Sequence, residues 1–211
     1  MEFDYVVVGA GSAGCVLANR LSADPDISVL LLEAGGKDSN FWIKVPAGYV
    51  KTMDNPAVNW LFEAAPDPKT GGRPIPIPRG RTLGGSSSIN GMIYVRGQAL
   101  DYDIWAQLGN RGWSYDNVLP YFKKSQHREG ASTTYHGVGG PLNVREISER
   151  NPLMDAIIDA GVELGYPRNR DYNGESQEGF GYFQVTQKRG RRFSAADAYL
   201  HPISRRPNLT V

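Results

Sequence analysis

Two groups of small residues carry the chemistry available to this sequence. The first, Gly9-Ala10-Gly11-Ser12-Ala13-Gly14, follows the apolar run Tyr5-Val6-Val7-Val8 and opens a helix-like stretch through Leu21. In that setting Gly9 permits a tight turn, Gly11 lets a pyrophosphate approach the backbone, and Gly14 lets helix and strand pack closely. Free N–H groups at the helix start, Ser12 among them, and the helix dipole hold the phosphates. No basic side chain lies in the loop, so binding is expected to be mostly a backbone effect. Glu33 stands 19 residues beyond Gly14, at the end of the next apolar run, followed by Ala34. A carboxylate there accepts hydrogen bonds from adenosine ribose hydroxyls and repels a 2′-phosphate, which argues against NADP. The motif by itself does not separate FAD from NAD.

The second group is Gly80-Arg81-Thr82-Leu83-Gly84-Gly85-Ser86-Ser87-Ser88-Ile89-Asn90-Gly91-Met92-Ile93-Tyr94-Val95-Arg96-Gly97. Paired glycines and three serines let a backbone lie close against a flat or anionic ligand. On residue types alone this is a second ligand-contact loop.

These loops need elements to hold them. Strand, glycine turn, helix and a strand over Ile27–Leu32 within about 30 residues make one βαβ unit, with a right-handed crossover expected. Its continuous apolar first strand reads as covered on both faces. Residues 36–79 carry seven prolines, with Trp42, Trp60 and Phe62 between them. They predict an extended, irregular excursion held by aromatic anchors, of the kind that often serves as a lid. Helices are expected over 101–108, 114–122 and 151–164, and a strand or hairpin over 179–185. Residues 207–211 begin a further strand, and the chain reads as part of a longer one.

Composition narrows the partners. Lys plus Arg is 23 and Asp plus Glu is 22, a net charge of +1, which points to neither nucleic acid nor an anionic membrane. The basic clusters Lys188-Arg189 with Arg191-Arg192, and Arg205-Arg206, read as solvated surface. A lone cysteine, Cys15, excludes a disulfide framework and a cysteine-built zinc site and reads as packing; no metal is expected. No basic leader or membrane-length apolar run is present. The sequon at Asn208 reads as coincidence. His127, His136 and His201 read as structural or solvent-facing. Trp60, Trp105 and Trp113 read as anchors.

The Gly80–Gly97 segment resembles the first signature of the glucose–methanol–choline oxidoreductases. The likeness runs on through Asn59-Trp60-Leu61-Phe62, Pro78-Arg79-Gly80, Asp101-Tyr102-Asp103-Ile104-Trp105, Trp113-Ser114-Tyr115, Asp171-Tyr172-Asn173-Gly174, Gln184-Val185-Thr186 and Arg192-Phe193-Ser194-Ala195-Ala196. It is strongest towards the alkanol- and choline-dehydrogenase-like bacterial branch. It implies an α/β fold, a Rossmann-like FAD-binding βαβ domain with parts of a discontinuous substrate domain, truncated relative to the family. Residues 1–35, 80–97 and 190–211 would form the FAD-binding domain, 36–79 the covering segment, and 98–189 the lead into the substrate domain.

By the same resemblance Gly9, Gly11, Ser12 and Gly14 hold the pyrophosphate, and Glu33 and Ala34 the adenosine end. Arg81, Gly84, Gly85 and Ser86 line the middle of the cofactor, and the backbone of Asn90, Gly91, Met92 and Ile93 passes beside its ring. Some members tether the flavin through a histidine just before that asparagine; Ile89 stands there, so FAD is expected to be noncovalent. The implied activity is oxidation of a primary alcohol to an aldehyde, with oxygen or a quinone-like compound as acceptor. The setting is cytoplasmic or peripheral to the inner face of a bacterial membrane. The base that removes the hydroxyl proton lies nearer the family's C-terminus, so none is assigned here, and the rest of the parent chain is the expected partner. The rival readings are a flavin-binding piece without turnover and an NAD-linked dehydrogenase.

Overall fold

The computed structural model describes residues 2–211. Two compact units divide the chain: residues up to Met92 with Arg189–Val211, and Ile93–Lys188. Among the described residues no helix is long and apolar enough to cross a membrane.

The first unit is built on a parallel three-stranded sheet. β1 (Tyr5–Val8) pairs with β2 (Val29–Leu32) in the register Tyr5↔Val29 to Val8↔Leu32, and Leu209–Thr210 pairs with the other side of β2. Helix α1 (Ser12–Leu21) returns the chain between β1 and β2, burying Gly14, Cys15 and Ala18. Small residues on that face let helix and strand approach closely. Burial pushes the Cys15 thiol up to about 11, against a backbone hydrogen bond that lowers it, so it packs as an inert group. The segment 196–200 packs on α1, where Asn19 Nδ2 donates to the Tyr199 carbonyl at 2.7 Å. Asn208, the sequon residue, spends its carboxamide on the carbonyls of Ser22, Asp24 and Ile27.

Several expectations are corrected. β1 is not covered on both faces: Val7 is buried, but Val6 and Val8 are exposed, Val8 by 83%. Strand alternation turns them from the face that α1 covers, and β1 is an edge strand. The second strand begins at Val29 rather than Ile27. The 36–79 excursion is less irregular than its prolines suggest. It holds short helices at Phe41–Lys44 and Tyr49–Thr52, and Phe62–Glu63 pairs antiparallel with Pro76–Ile77. Its aromatics are not buried anchors; Trp42, Trp60 and Phe62 are exposed, and Ile43, Val58 and Ile89 form the core instead. The basic clusters are not wholly surface. Arg192 is 2% exposed, and Arg206 donates to the Asn19 carbonyl and Ser22 Oγ.

A charged quartet ties the excursion to the last helical segment. Lys44 Nζ lies 2.9 Å from Asp38 and 2.8 Å from Asp197, while His201 Nε2 lies 3.0 Å from Asp38 and Nδ1 lies 3.3 Å from Asp197. Two cations thus face two carboxylates. The three ligand-type side chains Asp38, Asp197 and His201 come together, but the Lys44 ammonium already bridges both acids.

In the second unit, helices Ala99–Gln107 and Tyr115–Ser125 pack together. Asp103 accepts from the Tyr115 N–H at the start of the second helix, and that helix runs three residues past its expected end. Gln126–Arg128 pairs in parallel with Leu142–Val144, and Ile93–Tyr94 pairs antiparallel with Gln184–Val185. The third helix is Pro152–Glu163, capped by Asn151. Of the strand or hairpin expected over 179–185, the structure has the strand Gln184–Val185 and an isolated parallel bridge between Phe180 and Arg168, where Gly179 and Gly181 lie hard against the backbone of Pro167 and Asn169. His136 is fully buried between Asp171, at 2.7 Å, and Gln126. Trp105 and Trp113 lean edge-to-face on one another and are half-exposed.

His201 gives the quartet a pH signature. Hydrogen bonds to Asp197 and Asp38 raise it from 6.5 to about 9, against the opposing effect of burial. Its stabilisation is therefore complete below about pH 6.5 and lost as pH rises through about 9. The imidazole is partly exposed, so screening limits the effect to about 1 kcal/mol, or roughly 2–4 °C in melting temperature. The melting temperature should fall by that amount between pH 6.5 and 9.5, and His201→Gln should flatten this part of the profile.

Candidate functional site

The turn after β1 and the segment after residue 79 meet backbone to backbone. Gly84 N donates to the Ala10 carbonyl at 2.7 Å, Leu83 N to the Gly36 carbonyl at 3.1 Å, and Thr82 Oγ1 to that same oxygen at 3.0 Å. Side chains are excluded from this contact. A Cβ on Gly85 would stand 2.7 Å from Gly11 Cα, and one on Gly35 would overlap the Arg81 carbonyl. Gly9, Gly84 and Gly85 have positive φ of 95°, 86° and 54°, which glycine adopts without the cost a side chain brings.

Between these segments lies a cleft of about 700 Å³, within the usual range for a ligand site. Seven predicted residues line it: Gly9, Gly11, Ser12, Glu33, Ala34, Gly85 and Ser86. Gly14 and Gly84 are buried behind the lining as packing positions, a Cβ on Gly14 overlapping the Gly9 carbonyl. Arg81, Asn90, Gly91 and Met92 belong to the same unit but not to the lining, and Ile93 opens the second unit.

Two features of the lining, the start of α1 and Glu33, leave hydrogen-bonding capacity for a ligand. No side chain caps α1, whose N-cap is Gly11 and whose first turn holds no acid, so its leading N–H groups are available to an anion. A Cβ at Gly11 would meet nothing within 4 Å, leaving open space against the backbone. Arg81 Nε is buried without a partner among the described residues, its guanidinium over the Trp60 ring at 5.5 Å. Glu33 is already oriented: its two carboxylate oxygens accept from Ala10 N at 2.8 Å and Gly35 N at 2.9 Å. Each oxygen keeps a further lone pair for a ligand hydroxyl. These donors and acceptors, with space against the backbone, fit the pyrophosphate and ribose of a dinucleotide.

Sequence reasoning missed five lining positions, Val8, Leu32, Trp60, Arg79 and Gly80. Arg79 adds a cation to the lining, beside a glycine loop whose binding was expected to be mostly a backbone effect; it forms no ion pair among the described residues. Asn59 holds this wall. Its Oδ1 accepts from Leu61 N and Arg79 N, and Trp60 N donates to the Arg79 carbonyl at 2.9 Å. The only signal was the neighbouring Asn-Trp and Pro-Arg-Gly segments, whose pairing depends on the folded excursion. No histidine lines the cleft: His136 and His201 are engaged as above, and His127 Nδ1 accepts from Gly139 N.

Residues 3–211 match the family model described as GMC oxidoreductase. The chain is 48% identical over all 211 residues to an oxygen-dependent choline dehydrogenase of Sinorhizobium fredii and to one of Brucella anthropi. It spans 38% of the length of each. Among solved structures it resembles pyridoxine 4-oxidase from Mesorbium loti, with 38% identity and a TM-score of 0.94, covering 99% of this chain and 42% of that one. It also resembles an FAD-dependent oxidoreductase from Chaetomium thermophilum, with 28% identity and a TM-score of 0.88, over 99% of this chain and 38% of the other.

The two glycines of the turn should behave differently. Gly14→Ala drives a methyl into the Gly9 backbone and should cost about 1–3 kcal/mol in thermal or denaturant unfolding. Gly11→Ala meets open space at a negative φ and should stay within about 0.5 kcal/mol of the parent. Equal losses in the two variants would contradict this division.

Proposed function

The chain belongs to the GMC oxidoreductase family, and from that premise we propose that it supplies the FAD site of an enzyme that oxidises a primary alcohol to an aldehyde. The observation that carries the reading is the convergence of the uncapped α1 N-terminus, the open face of Gly11 and the oriented Glu33 carboxylate on one cleft. FAD, when bound, supplies the hydride acceptor. The rest of the work belongs to the protein: binding, orientation and electrostatics.

In this reading Gly9, Gly11, Ser12 and Gly14 form the pyrophosphate turn, with α1 lending its free N–H groups. Glu33, fixed by two backbone donors, accepts from the ribose, with Ala34 beside it. Arg81, Gly84, Gly85 and Ser86 set the wall along the middle of the cofactor, to which Arg79 adds positive charge. Asn90, Gly91, Met92 and Ile93 serve its ring. Ile89 is buried and has no nucleophilic atom, so FAD is held noncovalently.

Removing the hydroxyl proton of an alcohol requires a positioned base of suitable pKa. The cleft offers only Glu33 and Arg79 as charged groups, and Glu33 is committed to backbone N–H groups. The base is therefore assigned to the remainder of the enzyme. The substrate class is a small alcohol, and the acceptor is oxygen or a quinone-like compound.

Purified protein should bind FAD, show a flavin absorption spectrum that survives gel filtration, and release it all on denaturation. Gly11→Ala should weaken FAD binding at least tenfold while keeping the parent's melting curve. A colourless protein that takes up no FAD in titration would overturn the reading. Flavin retained by the denatured chain would overturn its noncovalent part. Alcohol-dependent dye reduction separates an enzyme from a flavin-binding piece.

A further inference from the structure

Arg192 is the largest fully buried side chain among the described residues, and its guanidinium is spent almost entirely on one loop. Nε donates to the Ile43 carbonyl at 2.8 Å, Nη1 to the Ser87 carbonyl at 3.1 Å and to Asn90 Oδ1 at 2.8 Å, and Nη2 to the Asn90 carbonyl at 2.6 Å. No carboxylate lies within ion-pair distance among the described residues; Asp197 acts on it only through space. A buried charge satisfied by neutral oxygens carries a desolvation cost, and an apolar side chain in its place would leave these oxygens without a donor.

The loop carries a second cost. Met92 is buried and has a φ of +63°, a region that a non-glycine residue occupies only where its surroundings impose it. Asn90 Oδ1 also accepts from Met92 N, at 3.0 Å. The Asn90 amide therefore faces two groups that can only donate, Arg192 Nη1 and Met92 N, and this settles which end is oxygen. Its Nδ2 is left outward on an exposed residue, with no hydrogen-bond partner among the described residues. Turning the amide over would set N–H against two donors, so Arg192 closes that alternative.

We propose that Arg192 is a positioning residue which, through Asn90, presents a fixed pair of amide N–H donors to the ring of the bound cofactor. The inference rests on the FAD reading above and adds to it a function for a side chain that touches no part of the cleft lining. Donors held against the ring favour its more electron-rich, reduced form. Asn90→Ala removes the donors, and Arg192→Met leaves them unaimed. Both should lower the midpoint potential of the bound flavin.

The test is that potential, measured on the FAD-loaded protein for Asn90→Ala, Arg192→Lys, Arg192→Met and the double variant Asn90→Ala/Arg192→Met. A tenfold loss of preference for the reduced form is expected from either Asn90→Ala or Arg192→Met, which is about 30 mV for a two-electron couple. The double variant should fall no further, since the two residues act as one unit. Arg192→Lys keeps the charge but lacks the fork that grips Asn90 at two atoms, and should recover only part of the loss. An unchanged potential in Asn90→Ala overturns the proposal, and so do additive shifts in the double variant. Asn90 is exposed, so its variant decides the matter even where Arg192→Met does not fold. A parent protein that takes up no FAD defeats the underlying reading, and this inference with it. A yellow parent with an unmoved potential in Asn90→Ala defeats this inference alone.

Discussion

The first unit depends on one steric condition, that stretches of backbone far apart in sequence touch with no side chain between them. Gly84 N reaches the Ala10 carbonyl, and the missing Cβ atoms of Gly35 and Gly85 make room for Arg81 and Gly11. A methyl at Gly35 or Gly85 would push main chain against main chain, and neither side can yield as a rotamer could. The cleft walls are consequences of this contact. Ser86 and Gly85 arrive opposite Gly11 and Ser12 because the chain between them is pinned at both ends. The glycines are thus first a folding requirement, and the ligand site is the space their contact leaves.

The charges in this unit follow a common pattern. Glu33 is held by two backbone N–H groups, and Arg192 by three carbonyls and an amide oxygen. Main-chain dipoles are fixed by the fold, so a charge they hold does not wander as a surface ion pair does. Burial still leaves Arg192, pushed down to about 10, cationic at neutral pH. Where side chains do pair, in the Asp38–Lys44–Asp197–His201 quartet, two acids meet two cations away from the cleft. That quartet fixes the excursion and leaves the cleft to oriented backbone groups and Arg79.

The sequence made the periodic and glycine-dependent features legible. β1, α1 and β2, the helices of the second unit and the short strand at Leu209–Thr210 all follow from apolar runs, caps and turn residues acting locally, whereas the pairing of that strand with β2 does not. Other features depended on long-range contact and left no local trace. Nothing in Arg189-Gly190-Arg191-Arg192 distinguishes the buried Arg192 from its exposed neighbour Arg191, because burial is set by Ile43, Ser87 and Asn90 far away in sequence. Trp60 looked like an anchor because tryptophan is usually buried, yet its ring stacks on Phe62 at the cleft margin. Arg79 and Gly80 became part of the wall only once Asn59 had paired the two arms of the excursion. Proline density overstated the irregularity of residues 36–79, since short helices and two-residue strands fit between prolines without needing the hydrogen bonds that proline lacks.

Holding a cofactor and removing a proton make different demands on a chain. The first calls for geometry of the kind this unit has, with turns of fixed φ, an uncapped helix end and a carboxylate locked by two donors. The second needs a group whose protonation changes near working pH and whose partners leave it free to change. None of the described histidines lines the cleft, and each has partners elsewhere. His136 is enclosed between Asp171 and Gln126, and His201 is drawn towards its charged form by two carboxylates. His127 has committed Nδ1 to the Gly139 N–H and is not among the residues that line the cleft. These side chains therefore belong to the framework of the fold and not to the cleft lining.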